Sequence, residues 1–289
     1  MPDTNVDETV FDLYDEYCHG HISRRTFFER AGGSAAGAAM AAAMLPNYAK
    51  AQEVLFTDKR IQANWVNYAS PGGNSGDMRG YLVRPAGEGP FPAVLVMHEN
   101  RGLNPYVQDV ARRAAVAGFL ALAPDGLYPV GGYPGNDDEG RTLQRSLDAD
   151  KLATDMENSA RFVKSHALST GKLGVTGFCW GGGMSNALAV SMGDDLQAAA
   201  PYYGRAADTA EIHQIKAAVQ VHYAENDPRV NAMRADYEAG LKTHKIDYEM
   251  HSYPGTRHGF HNYSTPRYNE DAAKLAWDRT IAFFQQKLS

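Results

Sequence analysis

The chain has very little cysteine. Its 289 residues include only two, Cys18 and Cys179, too few for a disulfide framework. It has no long run of lysine or arginine and a formal net charge of −6. That balance argues against binding nucleic acid or an anionic membrane through bulk electrostatics. The small-residue stretch from Ala31 to Leu45 is too short for a comfortable membrane span. Neither G-x-G-x-x-G nor G-K-[ST] occurs, so the usual phosphate-cradling loops of nucleotide enzymes are missing.

What is present is the composition of a globular enzyme, with 44% apolar and 21% charged residues. The first 51 residues form a separate unit. Ser23-Arg24-Arg25-Thr26-Phe27-Phe28 reads as a twin-arginine signal, followed by the Ala31–Leu45 stretch and by Ala49-Lys50-Ala51. Cleavage before Gln52 and export to the periplasm through the twin-arginine machinery are the expectation. Removal of the leader would take Cys18 with it and leave Cys179 as the sole thiol. Glu29 and the acidic residues Asp3, Asp7, Glu8, Asp12, Asp15 and Glu16 depart from the usual basic leader. The alternative is a retained N-terminal arm on a cytoplasmic protein. Val10, Leu13, Tyr14 and Tyr17 recur at helical spacing and could pack on the body.

Residues 52–289 read as one catalytic domain, without an internal repeat or interdomain linker. Short apolar runs at 93–98, 119–123, 172–178, 219–223 and 248–253 alternate with helical patterns at 109–117, 143–166, 181–192, 231–242 and 272–288. That alternation predicts an α/β fold, a mainly parallel sheet with helices on both faces. Residues 61–68 and 78–84 flank the glycine-rich 71–76, a hairpin signature that predicts antiparallel strands at one edge.

The strongest local signal is Gly177-Phe178-Cys179-Trp180-Gly181, between a strand and a helix. It is the nucleophile elbow G-x-S-x-G with cysteine in place of serine. A helix N-terminus at this point offers unpaired N–H groups that favour a thiolate and can hold an oxyanion. In an α/β-hydrolase the acid follows the nucleophile and the histidine comes last. Asp227 leaves one later strand and His258 the next, so the three pieces are expected at the carboxyl ends of three consecutive strands. In this reading His258 takes the proton of Cys179 and Asp227 orients His258. Glu225 is a rival acid, less well placed than the Asp227-Pro228 step. His261, three residues past His258, could line the pocket. As a metal pair the two are weak, with no third ligand of clear spacing. His98, His222 and His251 lie in strand patterns and are expected to be structural or pocket-edge residues. No metal or cofactor is called for.

On these motifs the chain, from about residue 55 to 289, resembles the dienelactone hydrolase (carboxymethylenebutenolidase) family of α/β-hydrolases. A second mark is Met97-His98-Glu99-Asn100-Arg101-Gly102. The resemblance implies that Glu99 takes part in switching the thiol to thiolate, and that the backbone N–H groups of Asn100 and Trp180 form the oxyanion hole. It implies a small ester or lactone as substrate. Two arginines that hold a substrate carboxylate in the family are replaced here by Val130 and Asn262. Dienelactone itself is therefore a doubtful substrate, although Arg101 or Arg257 could substitute. Tyr128, Tyr133, Phe260, His261 and Asn262 are further expected pocket residues, with the glycine-rich 130–138 segment shaping the mouth. General carboxylesterase or thioesterase activity, or a non-catalytic thiol sensor or binding protein, are the rival readings.

Overall fold

Alternation along Phe91–Met97 places Val94 and Val96 in one core cluster and Ala93, Leu95 and Met97 in another. A strand buried on both sides in this way belongs in the middle of a helix-covered sheet. The computed structural model describes residues 10, 13, 14, 16, 17, 22–32 and 52–289. Its strands are β1 (Ile61–Ala69), β2 (Asp77–Pro85), β3 (Phe91–Met97), β4 (Leu120–Pro124), β5 (Ser169–Phe178), β6 (Ala198–Tyr202), β7 (Ala218–Asn226) and β8 (Tyr248–Arg257). They form one sheet in the order β1-β2-β4-β3-β5-β6-β7-β8. Pairing is antiparallel for β1–β2 and β2–β4 and parallel from β4 onward. The antiparallel edge and parallel centre are those expected of an α/β-hydrolase.

The helices, in chain order, are α1 (Arg24–Ala31), α2 (Pro105–Val116), α3 (Asp137–Ser146), α4 (Ala149–Lys164), α5 (Trp180–Ser191), α6 (Pro228–Asn231), α7 (Arg234–Thr243) and α8 (Glu270–Lys287). Residues Val107 and Val110 of α2 and Trp277, Phe283 and Phe284 of α8 pack into the cluster on one face. On the other face lie Leu152, Met156 and Val163 of α4, Leu188 of α5 and Leu241 of α7. Among the described residues no helix is long and apolar enough to cross a membrane.

Three departures from the sequence expectation have local causes. The single helix expected over 143–166 is two, because Asp148 caps a new helix by accepting from the Asp150 and Lys151 N–H groups. The helix expected over 231–242 starts later, at Arg234, because the short α6 capped by Asp227 takes up Pro228–Asn231. Strand β6, Ala198-Ala199-Ala200-Pro201-Tyr202, lacks the β-branched residues that mark a strand. It lies between β5 and β7, so the strands that carry Cys179 and Asp227 are not consecutive.

Near the N-terminus, Ser23 caps α1 by accepting from Thr26 N–H at 3.0 Å. Val10, Tyr14, Tyr17, Phe27 and Ala31 form a buried cluster. It meets the body where Tyr17 donates to Asp138, the Arg141 guanidinium lies 4.2 Å over the Tyr17 ring, and that of Arg267 lies 5.0 Å over Tyr14. Cys18, the first nine residues and the cleavage motif at Ala49–Ala51 lie outside the described residues.

Candidate active site

Strand β5 ends at Phe178 and α5 begins at Trp180, so the turn between them is the single residue Cys179. Its backbone sits at φ 55°, ψ −110°, a costly conformation for a residue with a side chain. The surroundings enforce it. A Cβ on Gly177 would lie 2.3 Å from the Gly181 carbonyl oxygen, and one on Gly181 would lie 2.5 Å from that of His98. Only glycine lets strand and helix approach this closely. Cys179 is thereby presented at the N-terminus of α5, partly exposed, where the helix end favours negative charge.

Register carries the next two groups. Strands β7 and β8 pair in parallel as far as Asn226 opposite Arg257, so the residues that follow, Asp227 and His258, leave the sheet side by side. Asp227 caps α6, accepting from Val230 N–H at 3.3 Å. Its Oδ2 lies 2.6 Å from Nδ1 of His258. His258 also lies close enough to Cys179 for each to shift the charge of the other.

The charges reinforce one another. Burial alone would disfavour a thiolate at Cys179, but the adjacent His258 cation outweighs burial and holds the thiol below its ordinary value. Burial would likewise depress His258, yet Cys179 and Asp227 together push it up to about 10. Asp227 is buried too, and the His258 cation with its hydrogen bond keeps the carboxyl below its usual range. The arrangement favours a thiolate–imidazolium pair braced by a carboxylate.

Glu99 follows β3 and is buried. Its Oε2 accepts from Asn262 Nδ2 at 2.8 Å and lies 3.8 Å from Arg101 Nε. The Arg101 side chain pairs in turn with Asp137 at 2.7 Å. Asn100, Cys179 and Trp180 line a common cleft of about 700 Å³, walled by Met184 and Val190 of α5 and by Tyr203, Arg205 and Arg229.

None of the six further pocket candidates lines this cleft. Asn262 and Arg101 are buried against Glu99. Phe260 packs on Tyr203 and Tyr253, with ring centroids 5.5 and 5.0 Å away. His261 points into the core, where its Nδ1 meets Tyr106 Oη at 2.6 Å. Tyr133 donates to Asp137 at 2.9 Å, and Tyr128 lies under the Arg79 guanidinium at 5.5 Å. The 130–138 segment also falls outside the cleft lining. Proximity in sequence to His258 and Glu99 was a poor guide, because these side chains turn away from the cleft. Arg257 does not line it either.

Glu225 is turned away from His258; its Oε2 accepts from Gly255 N–H at 2.7 Å. His98 bridges two loops, with Nδ1 2.6 Å from the Glu99 carbonyl oxygen and Nε2 accepting from Gly126 N–H. Buried His222 bonds Tyr253 and Thr280. The cleft wall that sequence reasoning missed is Tyr203 and Arg205, just past the unexpected β6. The Tyr202-Tyr203-Gly204 step was the available signal.

Comparison with known proteins places the chain. Residues 78–288 match the model of the dienelactone hydrolase family, and residues 2–37 match a YqhI-like model. A protein of Escherichia coli (strain K12) described as "putative hydrolase fragment YghX" is 64% identical over 104 residues, covering 36% of this chain and 88% of that protein. A Bradyrhizobium protein named as a probable 2-oxo-3-(5-oxofuran-2-ylidene)propanoate lactonase is 29% identical over 244 residues, covering 79% of this chain and 96% of its own. A crystal structure from Klebsiella pneumoniae, described as a "putative dienelactone hydrolase", superposes with a TM-score of 0.67 at 25% identity, covering 78% of this chain and 99% of that one. With some 210 residues matched to one family model across sheet, elbow and histidine loop, the chain belongs to the dienelactone hydrolase family of α/β-hydrolases.

Proposed function

We propose that this hydrolase cleaves small lactones or carboxylic esters through a cysteine acyl-enzyme. The observation that carries the reading is the line Asp227–His258–Cys179, with a 2.6 Å bond at one end and the strained elbow at the other. The Cys179 thiolate attacks the ester carbonyl carbon. The tetrahedral oxyanion is held by the backbone N–H groups of Asn100 and Trp180, at the start of α5. As the intermediate collapses, the carbon–oxygen bond breaks and the leaving alkoxide takes the proton of His258. A water molecule then attacks the thioester while His258 accepts its proton. Collapse of the second intermediate regenerates the thiol group and releases the carboxylic acid. In a lactone the alcohol stays tethered to the acyl group, so the ring opens to a hydroxy acid.

In this reading Glu99 modulates the thiol from behind, since its negative charge opposes the thiolate. The size and apolar α5 wall of the cleft suit general carboxylesterase activity, and Arg205 and Arg229 elsewhere in its wall add positive charge that an acidic ester could use. The test is hydrolysis of a panel of lactones and aryl esters by the wild type and by Cys179→Ala. The proposal requires activity in the first and a loss of several orders of magnitude in the second. Equal activity in the two would reject it. Fast alkylation of Cys179 without turnover of any ester would point instead to a thiol sensor.

For the N-terminal segment we favour the retained arm over twin-arginine export and cleavage. Its Tyr14 and Tyr17 bury against Arg267 and Arg141 of the body, packing that supports an arm kept on the fold. The mass of the protein isolated from its native cells separates the two: a chain starting at Gln52 supports export.

A further inference from the structure

Tyr203 stands first beyond β6, at the carboxyl end of the sheet between the strands that present Cys179 and Asp227. Its backbone is at φ 36°. That is the left-handed region, where a large aromatic residue is a genuine outlier, and such strain persists only where the surroundings hold it and often marks function. The Tyr203 N–H is anchored to the His222 carbonyl at 2.8 Å. The ring lies 5.0 Å from that of His258 and forms part of the cleft wall with Cys179, Asn100 and Trp180.

The hydroxyl is the unusual part. The residue is 1% exposed, yet its oxygen has no hydrogen-bond partner among the described residues. Leaving such a group unpaired costs about 1–3 kcal/mol, which phenylalanine would avoid with the same packing. Burial, and the charges of Glu99 and Cys179 close by, hold the phenol well above its ordinary value. It is therefore a neutral donor throughout the working range of the thiolate. Neither negative group takes its hydrogen bond in the resting structure.

We infer that Tyr203 is a substrate-contacting residue whose hydroxyl donates to the oxygen that leaves the bound ester. This rests on the acyl-transfer reading above. The carbonyl oxygen is assigned to backbone N–H groups in that reading, so the unsatisfied hydroxyl of the ring beside His258 serves the other oxygen, the one His258 must protonate. The contact strengthens as the carbon–oxygen bond breaks and charge builds on the alkoxide, which makes it worth more in the transition state than in the ground state.

The test is Tyr203→Phe in the full-length chain, assayed on an alkyl ester and on the p-nitrophenyl ester of the same acid. Iodoacetamide alkylation of Cys179 and thermal unfolding are measured in parallel. The expected result is a loss of about tenfold or more in kcat/KM on the alkyl ester and a clearly smaller loss on the p-nitrophenyl ester, whose leaving group needs no help. The alkylation rate stays at the wild-type value, and Tm holds or rises, because phenylalanine leaves no buried hydroxyl unpaired. Activity within twofold of wild type on both esters overturns the assignment. Equal losses on both also overturn it, and a matching fall in alkylation would show that Tyr203 acts on the thiolate instead. A wild type that turns over neither ester, or a Cys179→Ala variant that turns over both, overturns the acyl-transfer reading itself and this inference with it.

Discussion

The Asn262 side-chain amide donates to the Glu99 carboxylate at 2.8 Å, in a site where both residues are buried. The family resemblance puts a substrate-binding arginine at position 262. Here the shorter amide serves the protein's own carboxylate, and Asn262 is buried outside the cleft lining. Removing it with Asn262→Leu strips a buried acid of a charge-assisted bond. We expect a loss of about 1.5–3 kcal/mol, read as a lower Tm and denaturant midpoint.

Glu99 itself opposes the Cys179 thiolate. The Glu99→Gln variant should therefore move the acid limb of Cys179 alkylation to lower pH while leaving the fold intact. An acid limb displaced to higher pH would contradict the electrostatic role given to Glu99.

The pH dependence of stability has a definite sign. His258 is raised from an ordinary 6.5 to about 10 in the fold. Its contribution is fully present below pH 6.5 and is lost as pH rises through about 10. Asp227 is lowered from 3.8, so its contribution is present above pH 3.8 and fades as pH falls below it. Thermal unfolding should show Tm falling toward pH 10, with a shallower fall in Asp227→Asn, which removes one of the charges holding the imidazolium. The same variant should lose roughly four orders of magnitude in kcat.

The elbow was legible because its chemistry demands glycine. Gly177, Gly181 and the single residue between strand and helix are visible as a pattern before any coordinates. Asp227 and His258 were legible for a related reason, since each lies a few residues past an expected strand, at 219–223 and 248–253. Strand β6 was not, because Ala198-Ala199-Ala200-Pro201 has neither alternation nor β-branching; tertiary pairing with β5 and β7 makes it a strand. The cleft wall at Tyr203 and Arg205 was hidden behind that missing strand. Phe260, His261 and Asn262 misled in the opposite way: they follow the histidine in sequence, but the chain turns after His258 and carries their side chains into the core.

The close strand-to-helix approach gives a second structural prediction. Gly181→Ala would place a methyl carbon 2.5 Å from the His98 carbonyl oxygen and 2.6 Å from that of Met97. Backbone cannot yield cheaply there, so a loss of about 1–3 kcal/mol is expected. Unchanged thermal stability would contradict the packing described.

At the N-terminal arm, Tyr17→Ala removes both the bond to Asp138 and the stack under Arg141. Hydrogen exchange of α1 amides should quicken in this variant while the sheet keeps its protection. No change in α1 exchange would mean that the arm does not depend on this contact.

The most direct test of the central claim is rapid-quench mass spectrometry during turnover of an aryl ester. The account predicts a transient single acyl group on the peptide that carries Cys179, formed and discharged at rates matching turnover. An acyl group on another residue, or steady hydrolysis with Cys179 never modified, would contradict it.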